Sequence, residues 1–339
     1  MLKSRVWFLF FGVFGFSDYM EKIVVDWVVG IFLLSLCSQF FLYMPNTNLK
    51  GLGVALITPF TKEGSIDFDA LAKLVDFQLS NGTNYLVVLG TTAETPTLSA
   101  TERQQIVHFV AQQVQGRVPV VAGIGGNCTA EVMDTLNTFD LSGVSAILSV
   151  APYYNKPSQE GLYRHFRAIS AVSPLPIILY NVPGRTGVNI TAETTLRIAH
   201  DCSNVIAIKE ASGDLEQMKQ ILLQAPDQFS LISGDDSVTT AVIEMGGIGV
   251  ISVFGNAFPK EMAWLVDNAF KGYAREAAKV MDNKYDELFR LMFVEGNPAG
   301  IKCMLHLRGV VENVLRLPLT PVSEETQRLI EAELNHLRF

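Results

Sequence analysis

Lys209 closes the apolar run Val205-Ile206-Ala207-Ile208 and is followed by Glu210-Ala211-Ser212-Gly213-Asp214, a turn-rich stretch. A Val/Ile run bounded by polar and Gly residues reads as a strand buried on both faces of a parallel sheet. Neighbouring side chains of a strand point to opposite faces, so Glu210 is not expected to partner an inward Lys209. Desolvation disfavours the ammonium form and lowers the pKa, and a neutral amine attacks carbonyl carbon. A strand-end lysine can equally run its stem along apolar surface and reach solvent. This stretch by itself leaves both readings open.

Other apolar runs end in residues of complementary chemistry. They are Gly90-Thr91-Thr92-Ala93-Glu94-Thr95, Ala151-Pro152-Tyr153-Tyr154-Asn155-Lys156-Pro157, Tyr180-Asn181-Val182-Pro183-Gly184-Arg185-Thr186-Gly187 and Ser233-Gly234-Asp235-Asp236. An amine, phenols and a guanidinium, with Thr hydroxyls and backbone N–H groups able to hold a small carboxylate, form the set a Schiff-base enzyme acting on an oxo acid needs. Each member has a plainer use: a tight turn at Gly90-Thr91-Thr92, aromatic packing at Tyr153-Tyr154, a helix cap or surface pair at Arg185. Their meeting on one rim would favour the chemical reading.

What would bring them there is the order of elements. Eight short apolar runs, at residues 53–59, 85–89, 118–122, 146–150, 176–180, 205–209, 229–233 and 249–253, alternate with amphipathic segments such as 67–80, 100–115, 159–171 and 215–224. Strict alternation argues for parallel βα units. Ser99 or Thr101 and Asp214 supply helix N-terminal caps. The pattern predicts a (β/α)8 TIM barrel over residues 49–256, with the rim groups at strand C-termini where such barrels carry chemistry. A doubly wound sheet is the alternative, but Gly123-Ile124-Gly125-Gly126 does not continue as a dinucleotide fingerprint. Residues 257–339 show only helical patterns and predict a C-terminal helical region. One long helix is expected to open at Pro259, and a last one to follow a Ser323 cap.

The formal charge of −8 provides no basic footprint for nucleic acid. Cys37, Cys128, Cys202 and Cys303 are scattered, and the five histidines lack ligand spacing, so neither disulfides nor a metal are expected. Residues 1–48 do not match the rest, because residues 6–16 and 23–44 are apolar and residues 27–44 carry no charge. This is the lower limit for a spanning helix. A membrane segment and an unusual signal are the alternatives to the expected reading, an upstream stretch arising from a misplaced start.

The rim motifs, together with Ile208-Lys209-Glu210-Ala211, the Ser158-Gln159-Glu160-Gly161 continuation and residues 293–298, resemble the 4-hydroxy-tetrahydrodipicolinate (dihydrodipicolinate) synthase family of pyruvate-dependent class I aldolases. The resemblance runs from about residue 49 to the end. It implies a lyase of lysine and diaminopimelate biosynthesis, cytoplasmic and cofactor-free, in which Lys209 condenses with pyruvate and the enamine attacks aspartate 4-semialdehyde. Tyr180 would be the general acid and base, linked through Thr92 to Tyr154. In the family that last tyrosine enters from a neighbouring subunit, which implies a homo-oligomer, usually a dimer of dimers. Arg185 would bind the semialdehyde carboxylate, the Thr91 and Thr92 amides the pyruvate carboxylate, and Gly234 and Ile251 would line the site. Asn127, Glu131 and Tyr153 match the family's allosteric lysine positions.

Some residues depart from the family pattern. Ala93 stands where many relatives carry Gly, and Ala100 and Arg103 stand where some lysine-inhibited members carry histidines, which implies weak or absent feedback. The rival readings are another pyruvate-dependent aldolase, such as N-acetylneuraminate lyase or a 2-keto-3-deoxy sugar acid aldolase, and a membrane-anchored barrel used for binding.

Overall fold

The computed structural model describes residues 48–337. Eight strands, β1 (Gly51–Ala55), β2 (Tyr85–Val88), β3 (Val120–Gly123), β4 (Ala146–Val150), β5 (Ile177–Asn181), β6 (Val205–Glu210), β7 (Ser230–Ser233) and β8 (Gly249–Ser252), form a closed barrel in chain order. Every pairing is parallel, including β1 with β8. The predicted (β/α)8 architecture is therefore the observed one. The expected membrane or misplaced-start segment lies outside the described residues. Among those residues no helix is long and apolar enough to cross a membrane.

Strand boundaries shift where backbone chemistry requires it. The first run begins two residues earlier than expected and ends at Ala55, because Ile57 N leaves the ladder to donate to Asn256 Oδ1 at 3.1 Å. The third starts after Pro119, which has no N–H to give a ladder. At the seam, Gly51 pairs with Gly249, with φ of 107° and 140°. A Cβ on Gly249 would stand 2.0 Å from Gly51 O, so only glycine lets the two strands close.

Two apolar layers follow from strand alternation. Inside, Val87, Val121, Ile178, Ala207 and Ile251 fill the barrel; outside, Val54, Val88, Ile147, Leu179 and Ile208 meet the helices. Each fully buried Leu or Ile of the outer layer contributes roughly 1.5–3 kcal/mol. The helices that cover it begin at side-chain caps: Asp67 before Phe68–Ser80, Ser99 before Ala100–Val114 and Asp214 before Leu215–Gln224. Ser99 and Glu102 close a capping box.

The C-terminal region is helical as expected, but the single helix from Pro259 is two, Pro259–Phe270 and Ala274–Val294. Gly272, at φ 86°, accepts a left-handed turn between them, which ends the first helix despite unbroken amphipathic patterning. Ala299–Leu307 and Glu324–His336 follow, the latter capped by Ser323.

Candidate active site

Lys209 faces into the barrel. Ala207 belongs to the inner layer and Ile208 to the outer, so Lys209 turns inward and Glu210 outward. On the adjacent strand Ile178 and Tyr180 share the inner face. The β5–β6 register sets Tyr180 opposite Lys209. The amine stands 4.3 Å from the Tyr180 ring centroid, and the two residues are only 5% and 6% exposed. The alternative of a lysine reaching solvent is not what the fold shows. A buried amine beside a phenol has the chemistry a carbonyl nucleophile and its proton donor would need.

A cavity of about 420 Å³ opens on this rim, lined by Gly90, Thr91, Tyr153, Tyr180, Arg185 and Asn297 among others. Lys209 and Thr92 are not among its lining residues, and both are buried. Arg185 sits on the short helix Pro183–Thr186, closed by Gly187 at φ 73°, and donates to Asn297 O at 3.4 Å. Ile251 is buried inside β8. Gly234 N donates to Glu210 O at 2.7 Å, and a Cβ there would come within 2.6 Å of Ala211 Cβ, crowding the end of the lysine strand.

Among the described residues, no hydrogen bond joins Tyr180, Thr92 and Tyr154. The recorded partner of Thr92 is Asn297, whose Nδ2 donates to Thr92 Oγ1 at 3.0 Å. Tyr154 holds a left-handed φ of 73° and is 88% exposed, whereas Tyr180 and Thr92 are buried. Of the residues matched to lysine feedback, Asn127 Nδ2 donates to Tyr153 O at 3.3 Å, and Glu131 lies in the first turn of the helix Thr129–Thr138. Arg103 lines the cavity and donates through Nε to Leu98 O at 3.0 Å.

What sequence reasoning missed is the hold that the C-terminal region has on the Thr91–Thr92 loop. Glu94 adopts a left-handed φ of 57° just after the threonines. Its carboxylate accepts from Lys302 Nζ, and from Arg316 N at 3.0 Å. Both partners of the Lys302–Glu94 pair are fully buried. Lys302 also donates to Val314 O at 2.9 Å and lies 4.2 Å from the Phe60 ring centroid. Burial pulls its pKa down to about 8, opposed by the charge of Glu94. A signal was present in the chain, since Lys302 interrupts Ala299-Gly300-Ile301 and Cys303-Met304-Leu305 just as Lys209 interrupts its own run.

Arg316 extends the hold. Its Nη2 donates to Glu102 Oε1 at 2.6 Å and Nη1 to Thr97 O at 3.1 Å. The guanidinium hydrogen bond brings the Glu102 pKa down to about 2, from an ordinary 4.5. A carboxylate with a depressed folded pKa contributes stability that is present above its unfolded value and lost as pH falls toward the folded one. Thermal melts between pH 5 and about 2 should therefore show a steeper loss of Tm for the wild type than for Glu102→Gln, which keeps the capping geometry. Parallel curves would contradict the pairing.

The fold and this rim define a (β/α)8 barrel with a buried lysine at the end of its sixth strand. The Dihydrodipicolinate synthetase family matches residues 48–337. A 4-hydroxy-tetrahydrodipicolinate synthase of Parabacteroides distasonis is 55% identical over 294 residues, covering 87% of this chain and 99% of the relative. One from Phocaeicola vulgatus is 53% identical over 296 residues, covering 87% and 99%. Among solved structures, the dihydrodipicolinate synthase of Thermotoga maritima superposes with a TM-score of 0.82 at 42% identity, over 85% of this chain and 98% of its own. A structure described as a monomeric dihydrodipicolinate synthase variant gives 0.81 at 43%, over 84% and 96%. The chain belongs to the dihydrodipicolinate synthetase family of enzymes.

Proposed function

We propose that this chain condenses pyruvate with aspartate 4-semialdehyde, the reaction named in its relatives, through a Schiff base on Lys209 in lysine and diaminopimelate biosynthesis. The observation that carries this is the buried, inward amine 4.3 Å from the Tyr180 ring. The Lys209 amine adds to pyruvate C2, a C–N bond forms and water leaves. The iminium acidifies the methyl group, whose proton passes to Tyr180 as the enamine forms. The enamine carbon then bonds to the aldehyde carbon, with Tyr180 giving the oxygen its proton. Attack by the substrate's own amine closes the ring and releases Lys209.

Thr91 and Thr92 amides hold the pyruvate carboxylate in this reading, and Gly234 and Ile251 shape the pocket. Arg185, on the cavity wall, takes the carboxylate of the second substrate. That choice separates a short acidic aldehyde from a sugar acid. Tyr154, exposed in one subunit, completes the Tyr180–Thr92 relay of a neighbouring copy, so a dimer of dimers in the cytoplasm is the proposed working form. Asn127, Glu131 and Tyr153 form a lysine site that Ala100 and Arg103 leave weakly responsive. A lysine titration of the steady-state rate should give no inhibition below millimolar concentrations, and sub-millimolar inhibition would contradict this.

The assignment is tested by comparing kcat/KM for aspartate 4-semialdehyde and for N-acetylneuraminate and 2-keto-3-deoxy sugar acids. The semialdehyde should be preferred, and Arg185→Met should raise its KM about 10- to 100-fold, the worth of a charged hydrogen bond. A larger kcat/KM for a sugar acid would overturn the assignment.

A further inference from the structure

On the outer face of the sheet, directly behind Tyr180 and Lys209, their chain neighbours Asn181 and Glu210 are bonded to each other. Asn181 pairs with Glu210 in the β5–β6 register, and Asn181 Nδ2 donates to both carboxylate oxygens at 3.1 and 3.0 Å. Ser212 N donates to Oε1 at 2.8 Å and Gln217 Nε2 to Oε2 at 2.9 Å. Asn181 Oδ1 accepts from Ile190 N at 2.9 Å. Both residues are fully buried. Desolvation pushes the Glu210 pKa up, and the hydrogen bonds from Asn181, Ser212 and Gln217 oppose it.

A carboxylate is an expensive occupant of this layer, where the adjacent outward positions are Leu179 and Ile208. Apolar packing would cover the helices without the desolvation penalty. What hydrogen bonds add is direction and register, and β6 needs both. The β5–β6 pairing shifts register between Ile177 and Ile178, which face Val205 and Ala207. The residue skipped is Ile206. Val205 packs in the outer layer, and unbroken alternation would carry Ala207 and Lys209 outward with it. The extra residue resets the parity, so that Ala207 joins the inner layer and Lys209 follows. A one-residue slip past the bulge would turn the amine away from the barrel.

We propose that Asn181 and Glu210 are positioning residues, whose hydrogen bonds lock the register beyond the bulge and so keep the Lys209 amine beside Tyr180. This rests on the Schiff-base reading of Lys209. It accounts for a buried carboxylate that touches no part of the cavity, and for Gln217 reaching it from a covering helix.

Asn181→Asp sets two carboxylates face to face, and Glu210→Gln turns an oxygen that accepts from Ser212 N or Gln217 Nε2 into a second donor. The double variant Asn181→Asp/Glu210→Gln restores a donor opposite an acceptor with the direction reversed. The rate at which each protein forms a borohydride-trappable pyruvate adduct is measured alongside its circular dichroism and Tm. Each single variant, folded, should form adduct about ten- to a hundredfold more slowly, with kcat falling more than KM changes, and the double should form adduct faster than Asn181→Asp alone. Wild-type rates in folded single variants, or losses no larger than the unfolded fraction, would overturn the positioning role. Should either single variant not fold, Gln217→Met removes one donor to Glu210 and leaves both strands intact. Slower adduct formation there supports the proposal, and an unchanged rate overturns it. A folded wild type that forms no adduct overturns the Schiff-base reading instead, and the positioning role with it.

Discussion

Replacing Lys209 by Met, which fills a similar volume without an amine, should reduce kcat by on the order of 10³- to 10⁶-fold, the range seen when a covalent nucleophile is removed. The fold should survive. Lys209 is buried with its amine over the Tyr180 ring, and an unbranched apolar side chain of similar volume fills the same space without a buried polar group. Its Tm should be equal to that of the wild type or higher. A folded variant retaining a tenth or more of wild-type activity would remove Lys209 from the mechanism.

The second large effect is on stability. Lys302→Met leaves the Glu94 carboxylate buried without its cation, and breaking such a pair costs about 3–5 kcal/mol. Against a total of roughly 5–15 kcal/mol for a domain, that is a large share. Urea denaturation should show it as a lower midpoint, and the loop carrying Thr91 and Thr92 should loosen first, because Glu94 keeps its left-handed backbone through Lys302 and Arg316 N. In Lys302→Met/Glu94→Gln the uncompensated charge is gone, so the double variant should be more stable than Lys302→Met alone. A loss under about 1 kcal/mol for Lys302→Met would show the pair to be dispensable.

The barrel was legible because hydrophobic period and turn chemistry are local, and eight alternations admit few topologies. The anomaly of a lysine closing an apolar run was local as well, and it led to the rim. Much of what surrounds Lys209 was not legible. The bulge at Ile206 depends on pairing with β5, and nothing in Val205-Ile206-Ala207-Ile208 marks which residue is extra. Asn181 and Glu210 read as strand-end polar residues until their strands are laid side by side. Asn297, Lys302 and Arg316 act on Thr92 and Glu94 from more than 200 positions away. Lys302 carried the same signal as Lys209, a charge inside an apolar run, but its partner Glu94 lies 208 positions away. The split of the helix after Pro259 turned on Gly272, a single residue able to take a left-handed turn. Tyr154, exposed within one subunit, has no local feature that assigns it to a site.

The central claim is a covalent bond between Lys209 and pyruvate. Folded protein incubated with pyruvate and borohydride, then digested and sequenced by mass spectrometry, should carry a stable reduced adduct on the peptide containing Lys209 and on no other lysine. Folded protein with no adduct, or with the adduct on another lysine such as Lys302, would contradict it.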